Sequence, residues 1–390
     1  MVRPAHVLVT GTYRSGTTFA ERLLDNLADG FCAPQPFPYL YLSAKRRFLV
    51  ESGLDGGRYP IGTGFHDPLH QPDELAAYLG STVFDRSFVE EALESMRGYS
   101  GAQTPDIADA MRDVPPGPFG SVVRAMHSAL ARRRCAGAKV LGSKEILLEE
   151  FVPTFGDAAI NVLLVVRDPR ALIASTLGPA ADAWSGRARP MLYTIQLWRK
   201  SVAYALHYRE RVSAIRLEDL VARPEATLRG GLESLGIRID SNLPAHVSPD
   251  RLLGGNGEPW SANTSFPEGA AARPRFGLSE RQLAYVETLA GPEMRALGYA
   301  ATVERELPVQ ALAAFRSDDD PGRAHPDFDP GFSVDPERLD VECRRLQMIR
   351  DGGVSGDERC WFVLPGVGAQ LAAGSAGAMS PLATRANRGS

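Results

Sequence analysis

Gly11-Thr12-Tyr13-Arg14-Ser15-Gly16-Thr17-Thr18 sets two glycines in a Gly-x-x-x-x-Gly frame and follows the second with hydroxyl side chains. Backbone amides in such a loop, opening into a helix N-terminus, can cradle a phosphate. In enzymes of ATP or GTP the residue after the second glycine is a lysine that reaches the β- and γ-phosphates. Here that residue is Thr17, and the cation is Arg14, inside the loop. No clear apolar strand closes on an aspartate of the kind that holds magnesium. The cradle for a phosphate is kept, and both marks of a triphosphate site are missing. Without a ligand, the same residues make a plain strand-to-helix turn.

A second group lies at Arg167-Asp168-Pro169, with Ser175 eight residues beyond the arginine and about two helical turns along. A guanidinium fork and a hydroxyl can hold a second phosphate, apart from the first. Two separate monophosphate sites suit a nucleotide phosphorylated on different sugar carbons. Read structurally, Arg167 and Asp168 cap a helix and pair with surface charge.

These residues need a scaffold that brings them to one edge. His6 to Thr10 reads as a short buried strand, and Thr17 to Leu27 as a helix with Phe19, Ala20, Leu23, Leu24 and Leu27 on one face. Lys139 to Gly142, ending at Ser143-Lys144, and Ile160 to Val166 read as further parallel strands, because helices on both faces of a sheet demand nearly continuous apolar runs. Asp168 is a good cap and Pro169 a good first residue for the next helix. Ser213 to Arg216 is a fourth strand, and Met191 to Arg211 and Ser279 to Leu297 are amphipathic helices. The pattern predicts a three-layer α/β domain over residues 1–300. A helical insertion at about 45–135 lies over the active edge, where insertions shape the substrate site. Residues 301–366 read as a C-terminal extension with a helix over Pro336 to Arg350 and a strand over Cys360 to Leu364. Residues 367–390, mostly Gly, Ala and Ser, read as a disordered tail.

Composition narrows the class. The chain has 390 residues, 43 Lys plus Arg against 47 Asp plus Glu, and a formal charge of −4, which speaks against a nucleic-acid footprint. At 44% hydrophobic and 23% charged it can build a sizeable core. Cys32, Cys135, Cys343 and Cys360 show no Cys-x-x-Cys spacing, so neither a disulfide scaffold nor a zinc module is expected, and a reducing cytoplasm fits. No apolar run approaches the ~18 residues of a membrane span, and Met1 to Ala5 enters a strand too quickly to hold a signal peptide.

Taken together, the two phosphate motifs resemble the sulfotransferase family that uses 3′-phosphoadenosine 5′-phosphosulfate (PAPS). Tyr13 to Phe19 is similar to its 5′-phosphosulfate loop, in the Arg form of the carbohydrate and tyrosylprotein branches. Val166-Arg167-Asp168-Pro169-Arg170-Ala171 with Ser175 is similar to its 3′-phosphate motif. Ile215 to Leu220, Arg223-Pro224-Glu225, Asn263-Thr264-Ser265-Phe266 and Leu297-Gly298-Tyr299 extend the likeness over roughly Val7 to Tyr299. The resemblance implies a P-loop-like parallel sheet and PAPS as co-substrate, without a metal. Arg14, Ser15, Gly16, Thr17, Thr18, Arg167, Ser175 and Ser265 would bind the nucleotide. The expected enzyme is of a soluble bacterial type with a small-molecule or carbohydrate acceptor; the charge balance predicts no nucleic-acid partner and the hydropathy no membrane span, unlike the Golgi members it resembles in motif.

Sulfuryl transfer needs a cation at the departing phosphate and a base for the incoming hydroxyl. Lys144 resembles the catalytic lysine of the tyrosylprotein branch, and Arg14 is the second cation. Where carbohydrate-type relatives carry an acid before proline, this chain reads Ala33-Pro34-Gln35-Pro36, and Gln35 cannot accept a proton. Glu145, His66 and His70 are the substitutes, with Pro68 arguing against a helical metal pair between the histidines. The aromatic stretch Phe37 to Leu42 leans toward an apolar pocket for a small natural product. Two other classes stay open: a P-loop kinase or NTPase, against which Thr17 counts, and a nucleotide-binding module whose activity has lapsed.

Overall fold

The apolar runs pair into one five-stranded parallel sheet in the order β2-β3-β1-β4-β5. The structure is a computed structural model that describes residues 3–34, 38–57, 60–62, 65, 67–100, 104–112, 114–177, 190–243, 277–303, 306–315, 336–352 and 361–376. Its first half runs β1 (Ala5–Thr10), α1 (Thr17–Asp25), β2 (Gly30–Pro34), α2 (Pro38–Glu51), α3 (Pro72–Ser81), α4 (Arg86–Ser100), α5 (Thr104–Met111), α6 (Phe119–Arg134) and β3 (Val140–Lys144). A 3-10 segment (Glu149–Phe155) leads to β4 (Ile160–Val166), α7 (Pro169–Leu177), α8 (Met191–His207), β5 (Val212–Arg216), α9 (Leu217–Ala222) and α10 (Pro224–Ser234). Then come α11 (Glu280–Ala296), α12 (Val309–Ala313), α13 (Pro336–Asp351) and α14 (Val367–Ala376).

Strand burial explains the sequence pattern. Val7 and Val9 on one face of β1 pack with Phe19, Ala20, Leu23 and Leu24 of α1 and with Leu228 and Leu232 of α10. Leu8, on the other face, joins the large core built by α2 to α8 and the C-terminal helices. Both faces are covered, so β1 and β4 have no polar side to show.

The register puts the strand ends together. Val9 lies opposite Lys144, Thr10 opposite Leu164, Pro34 opposite Lys144 and Val166 opposite Arg216. From β1 the chain leaves toward β2, and from β4 it leaves toward β5 on the opposite side. The β1/β4 boundary is therefore where the connections diverge, the place in an open parallel sheet where ligands bind beyond the strand ends.

Several sequence expectations change. Gly30–Pro34, to which the sequence pattern assigns no strand, is an edge strand with Phe31, Cys32 and Ala33 buried. Of the aromatic stretch Phe37 to Leu42, Phe37 lies outside the described residues and the rest opens α2, where Tyr41 is fully buried in edge contacts with Phe119, Phe151 and Phe155. Trp361 to Leu364, expected as a strand, is a short helical turn and a bend. The tail is not wholly irregular, since Val367–Ala376 forms α14 with Val367 and Leu371 buried in the main core. Leu339, Cys343, Leu346 and Ile349 of α13 share that same core, so the C-terminal extension packs into the α/β body.

Candidate functional site

The glycine loop begins where β1 ends, and its backbone depends on the two glycines. A Cβ on Gly11 would stand 2.4 Å from the Val165 carbonyl oxygen of β4, and one on Gly16 would stand 2.4 Å from the Leu217 Cδ1. Gly16 also takes φ +95°, a left-handed value that side chains rarely adopt. Ser15 turns inward, its hydroxyl donating to the Thr12 carbonyl at 2.6 Å. Tyr13 anchors the loop to α8, packing on Tyr193 and Leu197 with its hydroxyl 3.2 Å from Thr194 Oγ1. Thr17 and Thr18 open α1, whose free N-terminal amides face the loop.

Arg14 holds φ +63°, uncommon for a residue with a side chain, and that side chain is exposed. The strained backbone is held from across the switch point. Arg167 Nη1 donates to the Arg14 carbonyl at 3.0 Å, while the Arg167 carbonyl accepts from Trp198 Nε1 at 2.8 Å. One residue thus joins the loop after β1, the turn after β4 and α8. Burial lowers the pKa of Arg167, Glu218 raises it, and the neighbouring Arg14 charge lowers it again. Two guanidinium groups held close enough to oppose each other favour an anion between them.

The turn after β4 is built to stay in place. Asp168 caps α7, its Oδ1 accepting from the Arg170 backbone at 2.9 Å. Its carboxylate is also gripped by the Arg170 side chain at 2.9 and 2.6 Å, and Arg170 continues to Glu287 of α11 at 2.6 Å. Glu218 of α9 accepts from the Asp168 backbone at 3.0 Å and from the Tyr299 hydroxyl at 2.9 Å. Ser175, partly exposed on α7, donates to the Leu172 carbonyl at 2.8 Å. Glu218 and Tyr299 were missed as individual contributors by the sequence reading, although both lie in stretches that carry the family likeness.

Lys144 ends β3 beside Val9, and the chain beyond it is tied to the loop. Glu145 N donates to the Val9 carbonyl and Leu147 N to the Gly11 carbonyl, both at 3.0 Å. Lys144 is buried on the α1 side, and desolvation lowers its pKa, with Glu21, Glu145 and Cys32 pulling it back up. Glu145 is buried as well, close enough to raise the pKa of the Tyr41 phenol after burial has done so. Arg14, Ser15, Gly16, Thr17, Thr18, Lys144, Glu145 and Arg167 therefore share one sheet edge, with Ser175 further along α7. His70 turns instead to α8, its Nε2 lying 3.2 Å from the Tyr204 hydroxyl. His66, Ser265 and Gln35 lie outside the described residues.

Among the described residues no group of His, Cys, Asp and Glu side chains could hold a metal ion, and no helix is long and apolar enough to cross a membrane. The loop after β1 and the turn after β4 thus stand side by side, with an exposed Arg14, a part-buried Arg167 and a buried Lys144 at the same strand ends.

Residues 4–241 match a family model described as the sulfotransferase family. No curated protein matches the chain. Among solved structures it is similar to the sulfotransferase domain from the Synechococcus PCC 7002 olefin synthase, at 16% identity over 70% of this chain and 88% of that one, with a TM-score of 0.41. It is also similar to the sulfotransferase domain from the curacin biosynthetic pathway, at 16% identity over 66% and 82%, with a TM-score of 0.35. Both likenesses are distant, and the family assignment rests on the sequence match.

Proposed function

The chain belongs to the sulfotransferase family, and from that premise we propose that it moves the sulfuryl group of PAPS to a hydroxyl of a small-molecule or carbohydrate acceptor. The observation that carries this reading is the bond from Arg167 to the Arg14 carbonyl across the switch point. It ties the glycine loop to the turn after β4, the two motifs read as holding the 5′ and 3′ phosphates of one nucleotide.

In the proposed reaction the acceptor oxygen attacks sulfur in line, and the bond from sulfur to the bridging oxygen of the 5′-phosphate breaks. The acceptor proton passes to a base, and adenosine 3′,5′-bisphosphate leaves. The loop amides and Arg14 hold the 5′ end, Arg167 and Ser175 the 3′-phosphate, and Lys144 neutralises the bridging oxygen as charge builds on it. Glu145 or His66 takes the acceptor proton, since Gln35 has no basic atom.

The competing triphosphate reading is weakened by Asp168. It is the aspartate nearest the end of β4, and both its oxygens are held by Arg170. Thermal shift separates the two. Adenosine 3′,5′-bisphosphate at about a hundred times its Kd should stabilise the protein by roughly 2.7 kcal/mol, and ATP with magnesium should do little. Equal stabilisation by both nucleotides would remove the PAPS reading. Stabilisation by the bisphosphate with no sulfate transfer to any hydroxyl in a broad acceptor panel would point to the lapsed module.

A further inference from the structure

Part of the insertion is laid along α8. Tyr193, near the helix start, donates its hydroxyl to the Gly62 carbonyl at 2.6 Å. Arg199 sets its guanidinium 5.2 Å from the centre of the Phe65 ring, and the Tyr204 hydroxyl, about three turns beyond Tyr193, lies 3.2 Å from His70 Nε2. The Tyr193 contact reaches further, into the glycine loop. Its ring packs with Tyr13 and Leu197, joined by Ile146 and Leu147 from the turn after β3, in a small cluster apart from the cores on the two sheet faces. Leu147 has φ +61° and Arg14, next to Tyr13, has φ +63°. Such values cost a residue with a side chain energy and persist where the surroundings fix them. Leu147 N bonds the Gly11 carbonyl at 3.0 Å, and a Cβ on Gly62 would stand 2.9 Å from Leu147 Cδ1. The loop after β1, the turn after β3 and the insertion thus meet on one tyrosine.

We propose that Tyr193 is a positioning residue that makes the seat of the insertion at Gly62 depend on the conformation of the glycine loop. The assignment rests on the reading of that loop as the holder of the nucleotide's 5′ end. A nucleotide that binds the loop with Arg14 and Leu147 in their strained conformations favours that arrangement over relaxed ones. The same arrangement keeps Tyr13 against the Tyr193 ring, and so keeps the Tyr193 hydroxyl at the Gly62 carbonyl. Coupling of this kind is reciprocal, so the seated insertion also adds to nucleotide affinity. The consequence is an order of events: the donor nucleotide sets the loop, and the inner turn of the insertion is set after it.

Amide hydrogen exchange read by mass spectrometry follows the seat. Saturating adenosine 3′,5′-bisphosphate should slow exchange by at least about fivefold in peptides holding Ile61 and Gly62, and should leave Leu69 and His70, at the Tyr204 end, unchanged. Tyr193→Phe keeps the ring against Tyr13 and removes the bond to Gly62. This variant should bind the bisphosphate within about fivefold of the wild-type Kd, with the nucleotide-dependent protection of Ile61 and Gly62 lost. Tyr13→Ala should speed exchange at the same two residues in the free protein, and should add nothing in a Tyr193→Phe background. Full protection retained in Tyr193→Phe overturns the assignment and leaves the tyrosine structural. So does wild-type protection that is absent although the bisphosphate binds, or that spreads equally to Leu69 and His70. Failure of the underlying reading looks different: the bisphosphate would not bind the wild type at all, while Tyr13→Ala still loosened Gly62 through Tyr193.

Discussion

Arg167 donates to the Arg14 carbonyl at 3.0 Å, and Ser175 points its hydroxyl into its own helix at the Leu172 carbonyl. Both are proposed 3′-phosphate ligands, yet substitution should tell them apart. Ser175→Ala removes one neutral hydrogen bond, so affinity for adenosine 3′,5′-bisphosphate should fall by up to about tenfold, with adenosine 5′-monophosphate untouched. Arg167→Ala removes a charged ligand and also the donor that braces the strained Arg14 backbone. The bisphosphate should weaken about ten- to a hundredfold, and the monophosphate should weaken measurably as well. Calorimetry with both nucleotides reads this directly, and an Arg167→Ala variant with normal monophosphate binding would mean the brace is idle. At this scale the sequence reveals types and spacing, which is how Arg14, Lys144 and Arg167 are found. It is silent on Glu218, whose importance comes from neighbours far away in the chain, the Asp168 amide and Tyr299.

Among the elements, β1 and α6 meet through an imidazole pair. His6 and His127 stack with ring centroids 5.8 Å apart, and His127 Nε2 lies 2.9 Å from Ser143 Oγ of β3. Burial, with Arg124 adding to it, takes His6 down to about 4, and burial followed by His6 takes His127 down to about 3. An unfolded chain would protonate both near 6.5, so below that pH the unfolded state binds more protons than the folded one. Stability is full above pH 6.5 and falls as pH drops from there toward 4 and then 3, at a slope approaching about 1.4 kcal/mol per pH unit for each histidine. Urea unfolding at pH 7.5, 6.0 and 5.0 should show the decline, and His127→Gln should flatten it; an unchanged slope would assign the acid sensitivity to other groups. The sheet around this pair is largely legible in the sequence because β1 and β4 are mostly apolar on both faces and β3 opens on Val140 and Leu141, one for each face. β2 is not, since Gly30–Pro34 offers only three apolar side chains and two residues typical of turns. Its strand character comes from pairing with β3, Gly30 opposite Val140, a partner that local pattern cannot reveal. The first part of the tail fails for the opposite reason: Gly- and Ala-rich composition reads as irregular, while Val367 and Leu371 find a core to enter.

Across the whole molecule, the C-terminal helix α13 is fastened by buried charge. Arg199 of α8 bonds Glu293 of α11 at 2.8 Å and Glu342 of α13 at 2.6 Å. Arg345 of α13 bonds the same two carboxylates at 2.9 and 3.0 Å. All four side chains are almost fully buried. Such a group is balanced only when complete, so Glu342→Ala should cost about 3–5 kcal/mol by stranding two guanidinium groups in the interior. Denaturant unfolding checks the figure, and a loss below 1 kcal/mol would show that the helix is held by its apolar face alone. A chain cut before α13 should fare worse, although residues 4–241 contain the entire family match.

The pairing of β2 with β3 has a further consequence for change over evolutionary time. Pro34 and Lys144 are neighbours in the sheet, so everything between β2 and β3 is, in polymer terms, one large closed loop whose ends are pinned by the sheet. The entropy of closing such a loop grows only with the logarithm of its length, about 0.6 kcal/mol for each doubling. Residues added or deleted between α2 and α5 thus change the closure term very little, provided α6 keeps its seat on the sheet. The anion-gripping turns after β1 and β4 hang from different strands and do not register the change. Lineages of this architecture can remodel the roof over the strand ends at small thermodynamic expense while the nucleotide edge beneath stays as it is.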